Sequence, residues 1–446
     1  MLKDIHNNTV SGASAEAVAL FDEAIAAFNI YRGNPLALLD QGIEAAPDFA
    51  MAYIAKAHMF ASASEPGALQ QAAELIGSAW QLKLNDRERS HVSALAHLFE
   101  GEWTQAALAL DRHSIRWPHD LLALQCGHLI DFFRGNARNL RDRIARALPA
   151  WSTDMPGYPI LLGMHAFGLE ECGDYAQAEE QGRRAVELQP LDCWAHHAVT
   201  HVMEMRGRAE DGIGWMIARE PYWSGDDNGF KVHNWWHRAL FHLNLDQKDE
   251  ALALYDGPVR EDRSTLALDM VDASSLLWRL HLADIDVGCR WQELAATWDR
   301  HADGTTYPFN DWHAAMAYLG AGRDQDLDQL ISALRNTAAS DSETGRWALQ
   351  VGLPLIEGLV AFWRGDFTTA TERLYPARFI ANAFGGSHAQ RDIIDLTLTE
   401  AALRGGLDDL ARALVNERRI LKPYGRINAG MQSRIAGRAK VARRAA

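Results

Sequence analysis

Cysteine is scarce in this 446-residue chain: only Cys126, Cys172, Cys193 and Cys289, none of them in CxxC spacing. That excludes a disulfide framework and a thiolate zinc site. Prolines number 14, and no stretch alternates apolar and polar residues over a strand's length, which excludes a β-rich chain. No apolar run reaches the roughly 18 residues of a membrane span. The opening MLKDIHNNTV is polar and lacks the apolar core of a secretory signal. HExxH, Walker, Rossmann and GxSxG motifs are missing as well, so no cofactor is expected and no metal ligands are assigned. Together these absences predict a soluble, cytoplasmic protein without a bound cofactor.

Charge is unevenly placed. The chain holds 44 basic and 59 acidic residues, for a net −15. Arg418 to Ala446 carries nine basic residues and no acidic one, which leaves the rest at −24. A body that acidic repels phosphate, so nucleic acid is not an expected partner, nor is a membrane. A single domain over residues 1–422 is expected, followed by a basic C-terminal tail over 423–446 that is solvated or docks on its own chain.

Alanine and leucine dominate at a spacing of 3.6, as in AEAVALFDEAIAAF and ELAATWDRH, so the fold class is all-α. A short signature recurs: Gly, a small or polar residue, an apolar or aromatic residue, then Ala or Leu. Gly33, Gly67, Gly101 and Gly135 are successively 34 residues apart, as are Gly173 and Gly207, and Gly288 and Gly322. Further copies start at Gly365 and Gly405, and LDQKDEA near Asp246 fills the long interval after Gly207. Thirty-four residues is the tetratricopeptide period. The expectation is an α-solenoid of about eleven helical hairpins in a right-handed superhelix, with the first helix of each pair on the inner wall. Tyr175, Ala178 and Ala185 take interhelix positions, and Pro190 ends a second helix.

The first helices are rich in histidine and tryptophan. His197, His201 and Glu204 fall at i, i+4 and i+7, and His233 and His237 repeat the i, i+4 spacing in KVHNWWHRALFHLN, beside Asn234 and Trp236. Three readings stay open. His197, His201, Glu204 and His237 suit a zinc or iron site, although no familiar metal motif accompanies them. The imidazoles suit a polar pocket that binds a ligand or moves protons. They also suit a packed core. Asp269 and Asp272 share a face with Arg279 nearby, either as a tuned charge or as a fastening pair. Asn310 and His313 sit on another first helix. In GGSHAQRD, Ser387 caps a helix whose start gathers His388, Gln390 and Arg391. The insertion Glu220 to Phe230 is expected as a lid or an ordinary surface loop.

HHAVTHVMEMRGRAEDGIGW, HNWWHRALFHL, DASSLLWRL, GCRW, FNDWHAAMA and GGSHAQRD resemble the tetratricopeptide repeat protein 38 family, in order and across roughly residues 100 to 422. The resemblance implies a helical-repeat fold without a catalytic assignment. The family-like positions are His197, His201, Glu204, His237, Asp272, Arg279, His313, His388, Gln390 and Arg391.

Two functions compete. In the favoured one the superhelix encloses a pocket for a small polar ligand, with or without hydrolase- or lyase-like acid–base chemistry on a small amide or amine. His201 and His237 would exchange protons, Asp272 would orient one imidazole or a substrate amine, and Arg391 would receive a carboxylate. The alternative is a non-catalytic scaffold that binds a peptide or partner helix in its groove. A small molecule is the main expected partner; a protein partner and self-association stay open.

Overall fold

In a computed structural model, which describes residues 2–445 and the side chains of 2–438, the chain is almost entirely helical. A two-residue antiparallel pair, β1 (Leu2–Lys3) with β2 (Thr9–Val10), precedes the helices. The Asp4 carboxylate turns the chain between them by accepting from His6 N and Asn8 N at 3.0 and 2.8 Å.

The helices run in consecutive pairs. They are α1 (Ala15–Asn29), α2 (Pro35–Ala45), α3 (Ala50–Ala61), α4 (Pro66–Ala79), α5 (Asp86–Phe99), α6 (Trp103–Arg116), α7 (Leu121–Phe133) and α8 (Ala137–Ala147). Next come α9 (Tyr158–Glu171), α10 (Tyr175–Leu188), α11 (Cys193–Met205), α12 (Ala209–Trp223), α13 (Lys231–Asn244), α14 (Lys248–Leu254), α15 (Ala267–Leu282) and α16 (Arg290–Trp298). The series ends with α17 (Pro308–Ala321), α18 (Asp324–Ala338), α19 (Glu343–Trp347), α20 (Leu353–Trp363), α21 (Phe367–Ala377), α22 (His388–Arg404), α23 (Asp408–Leu421) and α24 (Arg426–Ala445). This is a tetratricopeptide-type α-solenoid.

The repeat's turn position requires a left-handed residue. Gly173, with φ 83°, supplies it between α9 and α10. Asp246 takes φ 60° at the same point between α13 and α14, which explains how LDQKDEA replaces a glycine copy. Gly67 departs from the expected role. It lies inside α4, and Ser64, at φ 53°, makes the turn instead, with Pro66 opening the helix.

Tight seams join the helices. Ala178 and Ala185 on α10 are fully buried, as the repeat pattern requires. A Cβ on Gly168 of α9 would stand 2.4 Å from Arg141 N, so the α8 backbone itself occupies that space. First helices bury nearly every side chain, α7, α9, α15 and α17 most completely, whereas second helices such as α8, α10 and α18 bury one stripe. His197, His201, His233, His237 and His313 are therefore buried in protein.

The chain divides into two compact units. The first comprises residues 1–199, 221–231 and 342–344. Within it the expected lid is a fastener: Asp227 forms a bidentate pair with Arg32 at 2.7 and 2.8 Å, Gly229 N donates to Tyr31 O, and Trp223 and Phe230 are buried. The second unit comprises residues 200–220, 232–341 and 345–446. It includes the stretch expected as a tail, which is helix α24, and Arg434 of α24 pairs with buried Glu400 at 2.6 and 3.0 Å.

Gly168→Ala should lower stability by about 1–3 kcal/mol despite the better helix former, because the added methyl meets backbone. Gly214→Ala, with open space around its Cβ position, should instead raise stability by up to about 1 kcal/mol. Thermal melts of the two variants should move in opposite directions; movement in the same direction contradicts the seam.

Candidate functional site

The second unit gathers the expected catalytic group. His201 of α11 and His237 of α13 pack ring against ring, with centroids 4.6 Å apart, and both are fully buried. His233, one turn before His237, lies 4.9 Å from it. Asp272 of α15 pairs with the imidazole of His233, whose Nδ1 lies 2.8 and 2.9 Å from the two carboxylate oxygens. Burial raises the Asp272 carboxyl above its ordinary range, against the pull of His233. Trp236 stacks on His233 and donates its indole N–H to Ser275 Oγ at 2.8 Å. Asn234 is buried on the same helix.

The remaining expected residues scatter around this group. His197, one turn before His201, belongs to the first unit, where it stacks on Phe167 and packs against Trp194 and Phe230. His313 is a core histidine: its Nδ1 contacts Phe309 O at 2.8 Å, and burial pushes its pKa down to about 3. Asn310 is buried one turn before it. Asp269 is buried, and that burial, reinforced by the charge of Asp272, raises it to about 6 although Ser264 opposes the shift. At the start of α22, Ser387 and Gln390 form a reciprocal capping box, with bonds of 2.9 and 3.2 Å. His388 opens that helix half-buried. Arg391 turns back to donate to the carbonyls of Gly385 and Gly386, so its head holds the glycine loop.

A cavity of about 610 Å³ in the second unit lies elsewhere. Leu240, Leu243, Leu282, Leu396, Ile427 and Met431 give it an apolar floor. Charges of both signs surround them, and two are expected residues, Glu204 and Arg279. His201, His233 and His237 are not on its wall. Arg279 is buried there and donates to Ser275 O and Ala389 O at 3.2 and 2.9 Å, with its guanidinium over Trp236. No carboxylate among the described residues stands in ion-pair range of it, and burial pushes its pKa down to about 10. Glu204 is held by Lys422 Nζ at 2.9 Å and by Asn244 Nδ2 at 3.3 Å. Lys422 also faces Asp392 at 3.7 Å, and Asp392 takes Arg418 at 2.9 and 3.3 Å. Burial alone would raise Asp392, but Arg418 and Lys422 outweigh it and hold the carboxyl below its ordinary range.

A second cluster, in the first unit, went unnoticed in the sequence. Asp120 caps α7 by accepting from Ala123 N with Oδ1. Its Oδ2 accepts from Arg87 and stands 2.9 Å from His91 Nε2 and 2.8 Å from His113 Nε2. His58 Nε2 reaches His91 Nδ1 at 3.0 Å. His58 and His91, like Arg87 and Asp120, are 33 residues apart, one short of the 34-residue period, so the repeat does not mark them as equivalent positions. Burial lowers His91 to about 4. A cavity of about 310 Å³ lies against Arg87 and Asp120 and includes Asp22, which burial raises to about 6.

No family model matches the chain. Solved structures match the chain only at low identity and low TM-score. The Cut9 and Hcn1 hetero-tetramer of APC/C matches at 13% identity, with 94% of this chain and 76% of that chain covered and a TM-score of 0.44. A human IFIT1 dimer with m7Gppp-AAAA matches at 14%, with 95% of each chain covered and a TM-score of 0.43. Yeast Tom70 matches at 14%, with 96% of each covered and a TM-score of 0.33. Likeness at this level says nothing of role. Among the described residues, no helix is long and apolar enough to cross a membrane.

Lys422→Met should destabilise the chain by about 3–5 kcal/mol, because it leaves the buried Glu204 carboxylate without its cation. Urea unfolding measures this; a change under about 1 kcal/mol would mean that the pair is solvated.

Proposed function

We propose that the chain is a non-catalytic interaction scaffold and that the cavity of its second unit receives a short peptide segment of a partner protein. The observation that carries this reading is the wall itself. An apolar floor is ringed by both signs of charge, in a volume within the range that accommodates several side chains. Arg279, buried on that wall and engaged only with backbone carbonyls and an indole face, is the anchor for an acidic side chain of the segment. The resemblance to the tetratricopeptide repeat protein 38 family is compatible with this role, since it brings no catalytic assignment.

Acid–base catalysis by His201, His237 and Asp272 is the second reading, favoured by the contact between the two imidazoles and by the Asp272–His233 pair. It is weaker because those groups are fully buried and lie off the cavity wall, where a substrate would have to meet them.

The test is selection of peptides from a random library against the full chain, followed by calorimetry. Selected peptides should combine apolar residues with an acidic one and bind one per chain. Lys248→Glu with Arg426→Glu, a charge reversal at the cavity rim, should weaken them at least tenfold with the fold intact. Peptides indifferent to that reversal would overturn the reading. Retention of a small molecule by the purified chain, with no peptide selected, would favour the ligand pocket instead.

A further inference from the structure

We propose that His201, His233 and His237 of the second unit form a binding site for a divalent transition-metal ion of the zinc class. Each offers a ring nitrogen, and these nitrogens lie within 4.8 Å of one another. That ceiling places a common centre within roughly 2.8 Å of each, against the roughly 2.0–2.1 Å of a zinc–imidazole bond. Shifts of under about an ångström, within reach of side-chain torsions, close the site. An all-imidazole donor set selects zinc, copper, nickel or iron over the oxygen-seeking magnesium and calcium.

The surroundings match a metal-binding histidine in a second respect. Asp272 holds Nδ1 of His233, which fixes the ring and leaves Nε2 to face the other way. A carboxylate behind a ligating imidazole sets its tautomer and raises its basicity. Asp272 is thus a positioning residue, and its negative charge offsets part of the ion's. The rings are already gathered by their helices: His233 and His237 are one turn apart on α13, and His201 reaches them from α11.

The other imidazole cluster does not share these properties. Around Asp120, His91 and His113 each spend a nitrogen on the same carboxylate oxygen that Arg87 occupies. A metal ion there would meet the arginine's charge and find its donors engaged. The site in the second unit takes up the metal reading that the sequence left open, with His233 in the ligand set. Glu204, placed in the candidate ligand set from its spacing, is engaged by Lys422 instead.

The test uses the full chain without an affinity tag, stripped with chelator and titrated with zinc, then with cobalt. One zinc per chain should bind. X-ray absorption at the zinc edge of the wild type should report a nitrogen shell from three imidazoles. Cobalt should give the visible d–d bands of a four- or five-coordinate site. His237→Asn should lose that equivalent while circular dichroism stays native, and Asp272→Asn should bind about 10- to 100-fold more weakly. His113→Asn should bind like the wild type. The proposal is overturned if the wild type binds no stoichiometric zinc or shows fewer than three imidazoles, or if the metal follows His113 rather than His237. If His237→Asn fails to fold, the wild-type absorption measurement decides alone.

Discussion

A buried charge must find its opposite, and in the second unit that requirement ties together residues more than 200 positions apart. Asn244, Glu204, Lys422, Asp392, Arg418 and Asn428 form one continuous polar chain through α11, α13, α22, α23 and α24. Within it Glu204 and Asp392 are answered by Lys422 and Arg418, so these four charges balance. Helix α24 reaches the same region through Arg434 and Glu400. These pairs, with Arg426 on Glu210 and the buried Met431, fasten the last helix as a wall of the cavity.

Two kinds of polar interior follow from one architecture. In the histidine group the polar atoms face one another and a carboxylate in a sealed space. In the cavity they surround an apolar floor that stays accessible. Chemistry on a diffusing substrate needs the reactive groups on an accessible wall, and recognition of a segment needs apolar contact with charges at its edge. The second condition is met at the cavity. The sealed imidazoles suit holding an ion, which requires donors and a charge-balancing carboxylate but little room.

Much of the architecture was legible because a repeat writes itself several times. The 34-residue spacing and the small residues at Ala178 and Ala185 follow directly from helices that must approach closely. The cap at Ser387 was readable from its capping box, and the Asp246 turn from its place in the period. Gly67 misled because a proline one residue earlier had already opened the helix. The facing of the first helices was not legible, since periodicity places His201 and His237 on a stripe without saying what covers it. Spacing proposed Glu204 as a partner for the histidines, yet a lysine 218 residues on answers it. No local pattern contains that contact. The Asp120 cluster was missed for a similar reason: His58 and His91, like Arg87 and Asp120, lie 33 residues apart and fall out of register with the 34-residue period.

The central claim is that the cavity of the second unit is the recognition surface. Hydrogen–deuterium exchange on the full chain, with and without a saturating selected peptide, tests it most directly. The account predicts slowed exchange confined to the wall segments: the ends of α13 and α15 near residues 240–248 and 279–284, with α22 and α24 at 392–400 and 426–434. Unchanged exchange there, or slowing concentrated around Asp120 and the α1–α2 hairpin, would contradict it.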